Sequence, residues 1–480
     1  MSAVSTSTDQ RTDETVRVTG EIREGTYGSK VAKVEPGGAE YIPADERHGR
    51  PLDLFWTWMS PNLEFATIFV GVIAVQFFGL TFSQAVLGIF VGTLLGSLSH
   101  GVLSARGPRF GVPQMILSRI SFGYLGNILP AGLNAVIAGV GWFAVNSVSG
   151  ALALSTLFGW SKVACLVIIV ALQLAVAFFG HNLVHMFERV AFPLLAAAFV
   201  VAGVVTASKA HPSSVHGTGG IGGFLLTVGA AFGYAAGWNP YATDYTRYLP
   251  GRSSGRAAGI WAGLGVFVSC MALEVMGAAS TTIGGPPNDN PTAAFTGHLG
   301  TNVAHITLLA IALGAVSANA INIYSGAMSF LALGIRLPLT LRRAIVAAVF
   351  GIVGFVLALS GLNDAASKYE NFLLVISYWI GPWLGVYFCD QILRRRDRVD
   401  GFLFDRHHRP WGGFVAMAVG AALSIWLFSA QTEYVGPIAK AHPGIGDITF
   451  GVGFVLAALL YAVFFRFQHG RRNETLVLPE

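Results

Sequence analysis

The stretch GYAAGWNPYATDYTRYLP, residues 233–250, decides how this chain is read. It follows an apolar run, IGGFLLTVGAAF, with the composition of a membrane helix. Gly237, Trp238, Asn239 and Pro240 then interrupt that helix, and Asp244 and Arg247 close it. Proline has no N–H to donate and kinks a helix interior. The stretch is therefore either a loop or a spanning helix broken in its middle, and the rest of the chain decides between them.

The surroundings are those of a membrane protein. The chain has 480 residues, a mean hydropathy of +0.60, 53% hydrophobic residues and 11% charged residues. A soluble domain carries about 25% charged residues. Twelve apolar segments reach or approach the roughly 20 residues that a spanning helix needs. They are 54–80, 84–103, 127–151, 162–180, 189–207, 220–243, 257–283, 303–333, 342–361, 370–392, 412–430 and 447–466. None shows the short alternating pattern of a barrel strand, so the expectation is an all-α polytopic protein with 12 transmembrane helices. Residues 1–53 are polar and lack the apolar core of a signal peptide. They are expected to form a mostly disordered cytoplasmic tail, with 54–466 as the domain of twelve transmembrane helices and 467–480 as a cytoplasmic C-terminal tail.

Charge sets the orientation. With the N-terminus inside, every Lys and Arg of the 30 falls on the cytoplasmic side except Lys162, Lys209, Lys368 and Lys440. One helix more or fewer would invert the later loops and destroy this asymmetry, which follows the positive-inside rule. The net charge of +5 thus anchors topology and does not point to nucleic acid. Localisation is expected in the plasma membrane, with both termini cytoplasmic. Cys165, Cys270 and Cys389 lie in apolar runs without metal-like spacing and read as buried thiols. No GxxxxGK[ST] loop is present to drive transport with ATP.

The first span, LFWTWMSPNLEFATIFVGVIAVQFFGL, is also interrupted, by Ser60-Pro61-Asn62 with Glu64 following. Breaks in corresponding helices of two halves mark the site of an inverted-repeat transporter. Spans 1 and 6 lie five helices apart. This is a leucine-transporter-like 5+5 arrangement, with helices 11 and 12 outside the repeat. The competing reading is two unrelated proline kinks.

Polar residues then collect on the helices that such a fold brings together. Trp142 and Asn146 lie four apart on one face of the third span. The indole offers a stacking surface and the amide offers both a donor and an acceptor to a flat heterocycle; the same pair also suits helix packing. Trp238 and Asn239 stand at the sixth break. Asn319, Asn322, Tyr324 and Ser325 crowd the eighth span and need partners in the bundle interior. Glu274 lies mid-span in the seventh helix, either as a proton carrier or as a neutral helix-to-helix bond. Asp244 and Arg247 read as a structural or gating pair. His181, His185 and Glu188 have helical spacing but lack a metalloprotease arrangement, and read as the surface of a short cytoplasmic connection.

The stretches WMSPN (58–62), GVPQMILSRISFGYLGNILPAGLNAVIAGVGWFAVN (111–146), the opening stretch, NIYS (322–325) and YENFLLVISYWIGPW (369–383) together resemble the nucleobase:cation symporter-1 family, in its purine–cytosine permease branch. The resemblance runs from about residue 50 to 465. It implies a base stacked between Trp142 and Trp238 and read by Asn146 and Asn322, with Ser60 lining the site and Asn319 close by. It also implies symport with a cation. Sodium-coupled relatives carry small hydroxyl residues before the substrate asparagine in the eighth span; here GAVSAN offers Ser317 alone, which favours H+ over Na+. The expected function is import of cytosine or a purine, with allantoin, hydantoin, uracil or a pyrimidine or pyridine vitamin as the alternative. A membrane enzyme or a non-translocating sensor finds no activated nucleophile, paired carboxylates or signalling domain to support it.

Overall fold

The computed structural model describes residues 38–178, 181–284, 289–335 and 339–473. Residues 1–37 and 474–480 of the two expected tails lie outside the described residues, as do the side chains of 177–185, 188, 336–347 and 469–473. Among the described residues there are helices and no strand. The main ones are α1 (Asp53–Met59), α2 (Phe65–Gln76), α3 (Phe82–Ser104), α4 (Ile128–Val136), α5 (Phe143–Phe158), α6 (Lys162–Phe178), α7 (His181–Lys209) and α8 (Gly220–Ala236). There follow α9 (Ala242–Thr246), α10 (Gly255–Ser280), α11 (Thr301–Ala332), α12 (Leu339–Gly361), α13 (Ala365–Leu393), α14 (Gly412–Phe428) and α15 (Thr449–Asn473).

Among the described residues, eight helical segments are long and apolar enough to cross a bilayer, and α1 with α2 makes a ninth candidate as a bent pair. Lys162–Val176, Ala348–Gly361 and Gly412–Phe428 are shorter apolar helices. Each of these overlaps one of the apolar segments marked in the sequence. The boundaries differ at several helix ends; α5, for one, runs to Phe158, past the expected 151. Residues 181–188, expected as a connection, belong to α7, although the side chains of His181, His185 and Glu188 lie outside the described residues. Helix α15 continues to Asn473, beyond the expected boundary at 466.

The bundle is inside-out relative to a soluble protein. Leu95, Leu98 and Val102 of α3, Val200 and Val204 of α7 and Val356 of α12 are exposed on its outer surface. Such an apolar exterior needs lipid around it. The centre belongs to other helices: 83% of the apolar window of α11 is buried, 78% of that of α13 and 72% of that of Gly220–Thr246. The window of α15 is only 17% buried, so this last helix is peripheral. Small residues draw the central helices together. A Cβ on Gly71 of α2 would lie 1.7 Å from the backbone oxygen of Glu274 in α10. One on Gly277 would lie 1.8 Å from that of Ile68, so α2 and α10 touch backbone to backbone.

The first break is sharp. A 3-10 turn, Ser60–Asn62, follows α1, and α2 departs at 61°. Glu64 is extended (φ −151°, ψ 171°), and its carboxylate accepts from Ala66 N at 3.0 Å, so the second half-helix starts with its own N-cap. The freed carbonyls also find partners: Asn62 Nδ2 donates to Trp58 O at 2.8 Å, and Thr67 Oγ1 donates to Asn62 O at 2.6 Å. The sixth-span break is gentler. Gly220–Thr246 is one continuous apolar run in which a 3-10 turn, Asn239–Tyr241, joins α8 to α9. Gly237 and Trp238 keep right-handed helical dihedrals.

The Arg-rich end is closed by part of the expected tail. Residues 38–52 are packed in place: Ile42 N donates to Gly111 O (3.0 Å), and His48 N donates to Tyr248 O (2.6 Å). Arg47 Nη1 donates to Pro108 O and Arg247 Nη1 to Gly38 O, both at 2.8 Å. Burial pulls the Arg47 guanidinium below its ordinary pKa. Gly111 has φ +63°, and a Cβ there would lie 1.6 Å from Arg47 Nη2. Glycine is what admits the arginine.

Candidate functional site

The two breaks meet. Trp238 Nε1 donates to Asn62 Oδ1 at 2.8 Å, so the indole of the sixth-span break is held by the amide of the first. The Trp238 ring also lies against Trp58 (centroids 5.9 Å) and Tyr241 (5.7 Å), both edge-on. Ser60 is buried in the turn beside them.

Trp142 ends a π-helical turn, Ile137–Trp142, between α4 and α5. Glycines fix this turn. Cβ atoms on Gly139 and Gly141 would fall 2.3 Å from Phe350 and 2.5 Å from Phe372, so two aromatic rings lie directly on the backbone. The Trp142 ring meets Phe372 (5.1 Å), Tyr234 (5.5 Å) and Tyr369 (6.4 Å) edge-on. Its Cζ2 lies 3.3 Å from where a Cβ on Gly237 would sit, next to Trp238. The third and sixth spans thus bring Trp142 and Trp238 to neighbouring stretches of one wall.

The three asparagines form a directed cluster. Asn319 Nδ2 donates to Phe143 O (2.9 Å), which turns its Oδ1 outward. That oxygen accepts from Asn146 Nδ2 (3.0 Å) and from Asn322 Nδ2 (3.2 Å). Asn319 is therefore used up by its neighbours and positions them. Among the described residues, Asn146 and Asn322 each keep a buried Oδ1 with no protein partner, and Ser325 Oγ nearby on α11 has none either. A buried acceptor without a donor is costly. These oxygens suit a ligand with N–H groups on its edge.

Other expected residues point elsewhere. Asn239 Nδ2 donates to Ser99 Oγ of α3 at 2.7 Å, away from the amide cluster. Glu274 is fully buried between α10 and α3, and Thr93 Oγ1 donates to it at 2.6 Å. Ser317 is buried in α11. Asp244 Oδ1 accepts from Gln114 N (3.0 Å), and Arg247 Nη2 donates to Tyr324 Oη (3.0 Å), which ties these two candidates into the Arg-rich end. A cavity of about 390 Å³ lined by Phe65, Phe69, Val140, Ser149, Tyr369 and Phe372 adjoins the ring partners of Trp142. Its walls are mostly apolar and contain neither tryptophan nor the three asparagines.

Sequence reasoning passed over Asn62, Glu64, Thr67 and Tyr234. Tyr234 Oη lies 3.1 Å from Glu64 Oε1 and touches Thr67 Oγ1. The signals were legible. Asn62 and Glu64 flank the first break, and Tyr234 stands four residues before Trp238, one helical turn away.

The chain is similar to known transporters in sequence and in fold. Residues 41–453 match the model of a family described as permeases for cytosine/purines, uracil, thiamine and allantoin. The putative purine-cytosine permease YxlA of Bacillus subtilis is 30% identical over 452 residues, covering 90% of this chain and 96% of the relative. The purine-cytosine permease fcyB of Emericella nidulans is 30% identical over 457 residues, covering 89% and 87%. Among solved structures, closed Mhp1, a nucleobase-cation-symport-1 family transporter with bromovinylhydantoin bound, superposes with a TM-score of 0.72 at 20% identity, over 91% of this chain and 96% of that one. The inward-facing form of Mhp1 gives 0.70, over 96% and 100%. Both show the leucine-transporter-like fold here. The chain belongs to the family of permeases for cytosine/purines, uracil, thiamine and allantoin, and is a membrane transporter rather than an enzyme.

Proposed function

We propose that the protein imports a nucleobase, cytosine or a purine, by alternating access across the plasma membrane with both termini in the cytoplasm, coupled to a proton. The observation that carries this reading is the juxtaposition of the Asn62–Trp238 bond, Trp142, and the unpartnered oxygens of Asn146 and Asn322. A flat base stacks on an indole, and its amino or ring N–H groups supply the donors that the two amides lack. None of these site residues is cationic, which suits a neutral ring. Asn319 acts as the positioning residue, and Ser60 lines the site. Asn239 contributes to the wall through α3.

Coupling draws on acids in the bundle, and Glu274 is a candidate carrier. With Ser317 as the sole hydroxyl of GAVSAN, this stretch offers few of the several oxygen ligands that a sodium ion needs, whereas a proton needs one acceptor. Related heterocycles form a second reading, favoured by the breadth of the family description and by a Saccharomyces cerevisiae relative, the vitamin B6 transporter TPN1, 25% identical over 361 residues. Uptake of labelled cytosine into cells expressing the chain separates the two. Competition by adenine, guanine or hypoxanthine and collapse with a protonophore are expected. Absence of cytosine uptake together with uptake of labelled allantoin or pyridoxine moves the substrate to the second reading. Uptake that needs sodium and ignores the protonophore refutes proton coupling.

A further inference from the structure

A short hydrogen-bonded chain links the two breaks, and its protons can be counted. It runs from Glu64 Oε1 to Tyr234 Oη (3.1 Å), from there to Thr67 Oγ1, and from Thr67 Oγ1 to Asn62 O (2.6 Å). All four residues are buried. Asn62 O is a carbonyl and only accepts, so the Thr67 proton goes to it. Thr67 Oγ1 then accepts from Tyr234, which spends the single phenolic proton. Tyr234 Oη has none left for Glu64, so the third contact needs a proton from the carboxyl itself. Three contacts require three protons, and the two hydroxyls hold two.

We propose that Glu64 is a proton-binding site of the transport cycle, whose proton completes the chain Glu64–Tyr234–Thr67–Asn62 and thereby locks the first break to the sixth-span helix. This rests on the proton-coupled reading above. When Glu64 is ionised, Tyr234 donates to the carboxylate instead. Either Thr67 then turns to Tyr234 and Asn62 O loses its donor, or Thr67 and Tyr234 face each other without a proton between them. In both cases the link to Asn62 is cut, and Asn62 is the residue that holds the Trp238 indole. Proton binding at Glu64 and base binding at Trp238 therefore favour each other, and by linkage base binding draws a proton in.

The surroundings fit this role. Glu64 is the N-cap of α2, so its side chain moves with the half-helix that bends away at 61°. Gly314 of α11 lies against it, with a Cβ there falling 3.0 Å from Glu64 Cβ. The titratable groups that interact with it are Tyr234 of α8, Cys270 of α10 and Tyr369 of α13, with Glu274 beyond Cys270. All are acids or weak acids, and no Lys or Arg among the described residues holds the carboxylate in its charged form. Glu274 differs: a threonine hydroxyl bonds one of its oxygens, and the other has no partner.

The test is proton release and uptake on base binding. Purified protein in weakly buffered detergent solution, with a pH indicator, is mixed with cytosine and adenine. The wild type is expected to take up about one proton per base bound, with affinity falling up to tenfold per pH unit above the carboxyl's titration. In Glu64→Gln the amide still donates to Tyr234, so base binds, but no proton follows and the pH dependence flattens. In proteoliposomes this variant exchanges base yet loses gradient-driven accumulation. Glu274 is the other candidate carrier, so Glu274→Gln is the discriminating comparison: with the proton on Glu64 this variant retains the base-linked proton uptake. The proposal is overturned if Glu64→Gln takes up a proton as the wild type does, or if Glu274→Gln alone abolishes uptake of that proton. Wild-type protein that binds no base at all would instead refute the nucleobase reading, a result distinct from either.

Discussion

The two breaks carry nearly the same letters and behave differently. Span 1 has Ser-Pro-Asn and span 6 has Asn-Pro-Tyr, with Trp58 two residues before the first and Trp238 directly before the second. The first bends by 61° and restarts from an extended Glu64. The sixth tightens into a 3-10 turn while its backbone stays in the right-handed helical region. Proline removes one hydrogen bond in both, so proline is not what separates them. The difference is a cap. Glu64 supplies an acceptor to the new helix start, and Asn62 and Thr67 occupy the carbonyls that the bend frees. At the sixth-span break no residue becomes extended, and Trp238 is left to reach across to Asn62. The bent break holds polar and ionisable groups, and the gentle one presents aromatic rings. A site for a flat, hydrogen-bonding ligand needs both.

This contrast can be broken most severely at the helix contacts behind it. Gly71→Ala forces a methyl group to within 1.7 Å of a backbone oxygen and should leave little folded transporter, read as the monodisperse yield after solubilisation. Gly229→Ala, on the span-6 side, meets nothing nearer than 3.5 Å and should give near wild-type yield. Next in size, Asn62→Ala removes the bond between the breaks and strands the buried Trp238 N–H. A lost buried partner costs about 1–3 kcal/mol, so base affinity should fall roughly ten- to hundredfold with folding retained, measured by calorimetry. Smaller still, Pro61→Ala should raise the apparent KM of uptake several-fold, because residues 57–65 gain a route to continue the helix. Pro240→Ala should change it little, since the backbone there is already helical.

The smallest effect is expected away from both breaks. His298, in the connection before α11, is pulled down to about 4, first by burial and then by Lys209. It is therefore neutral above about pH 5 in the folded protein. Its ordinary value of 6.5 lies higher, so stability tied to its neutral form is lost as the pH falls from about 6.5 toward 4. His298→Gln should leave the pH profile of uptake between 6.5 and 8 unchanged; a flattened profile would move proton coupling away from the breaks.

Much of this arrangement is readable in the residues. Hydropathy marks the helices, because lipid demands long apolar segments. Paired Pro-Asn interruptions mark the breaks, because each leaves backbone groups that need a partner. Trp142, Asn146 and Asn322 stand out because large polar surfaces inside a membrane are expensive. The hidden part is what depends on who faces whom. Asn319 and Asn322 look equivalent in ANAIN, yet one amide is consumed by Phe143 O and the other keeps a free oxygen. Asn239 shares the sixth-span break with Trp238 but turns to Ser99. Glu64 looks like a residue trailing a kink, and its importance appears only when Tyr234 is brought 3.1 Å away by a helix 170 residues distant in sequence. The packed segment 38–52 is polar enough to read as tail, and Ile42 and Arg47 become anchors only through contacts with Gly111 and Pro108.

The central claim is that a base lies at the meeting of the breaks, against Trp142 and Trp238. Equilibrium binding of cytosine and adenine to purified wild type, Trp142→Ala and Trp238→Ala tests it most directly. Stacking contributes about 1–3 kcal/mol per base, so each variant should remain folded and bind roughly ten- to hundredfold more weakly. Unchanged affinity in both variants would contradict the claim and place the ligand elsewhere in the bundle.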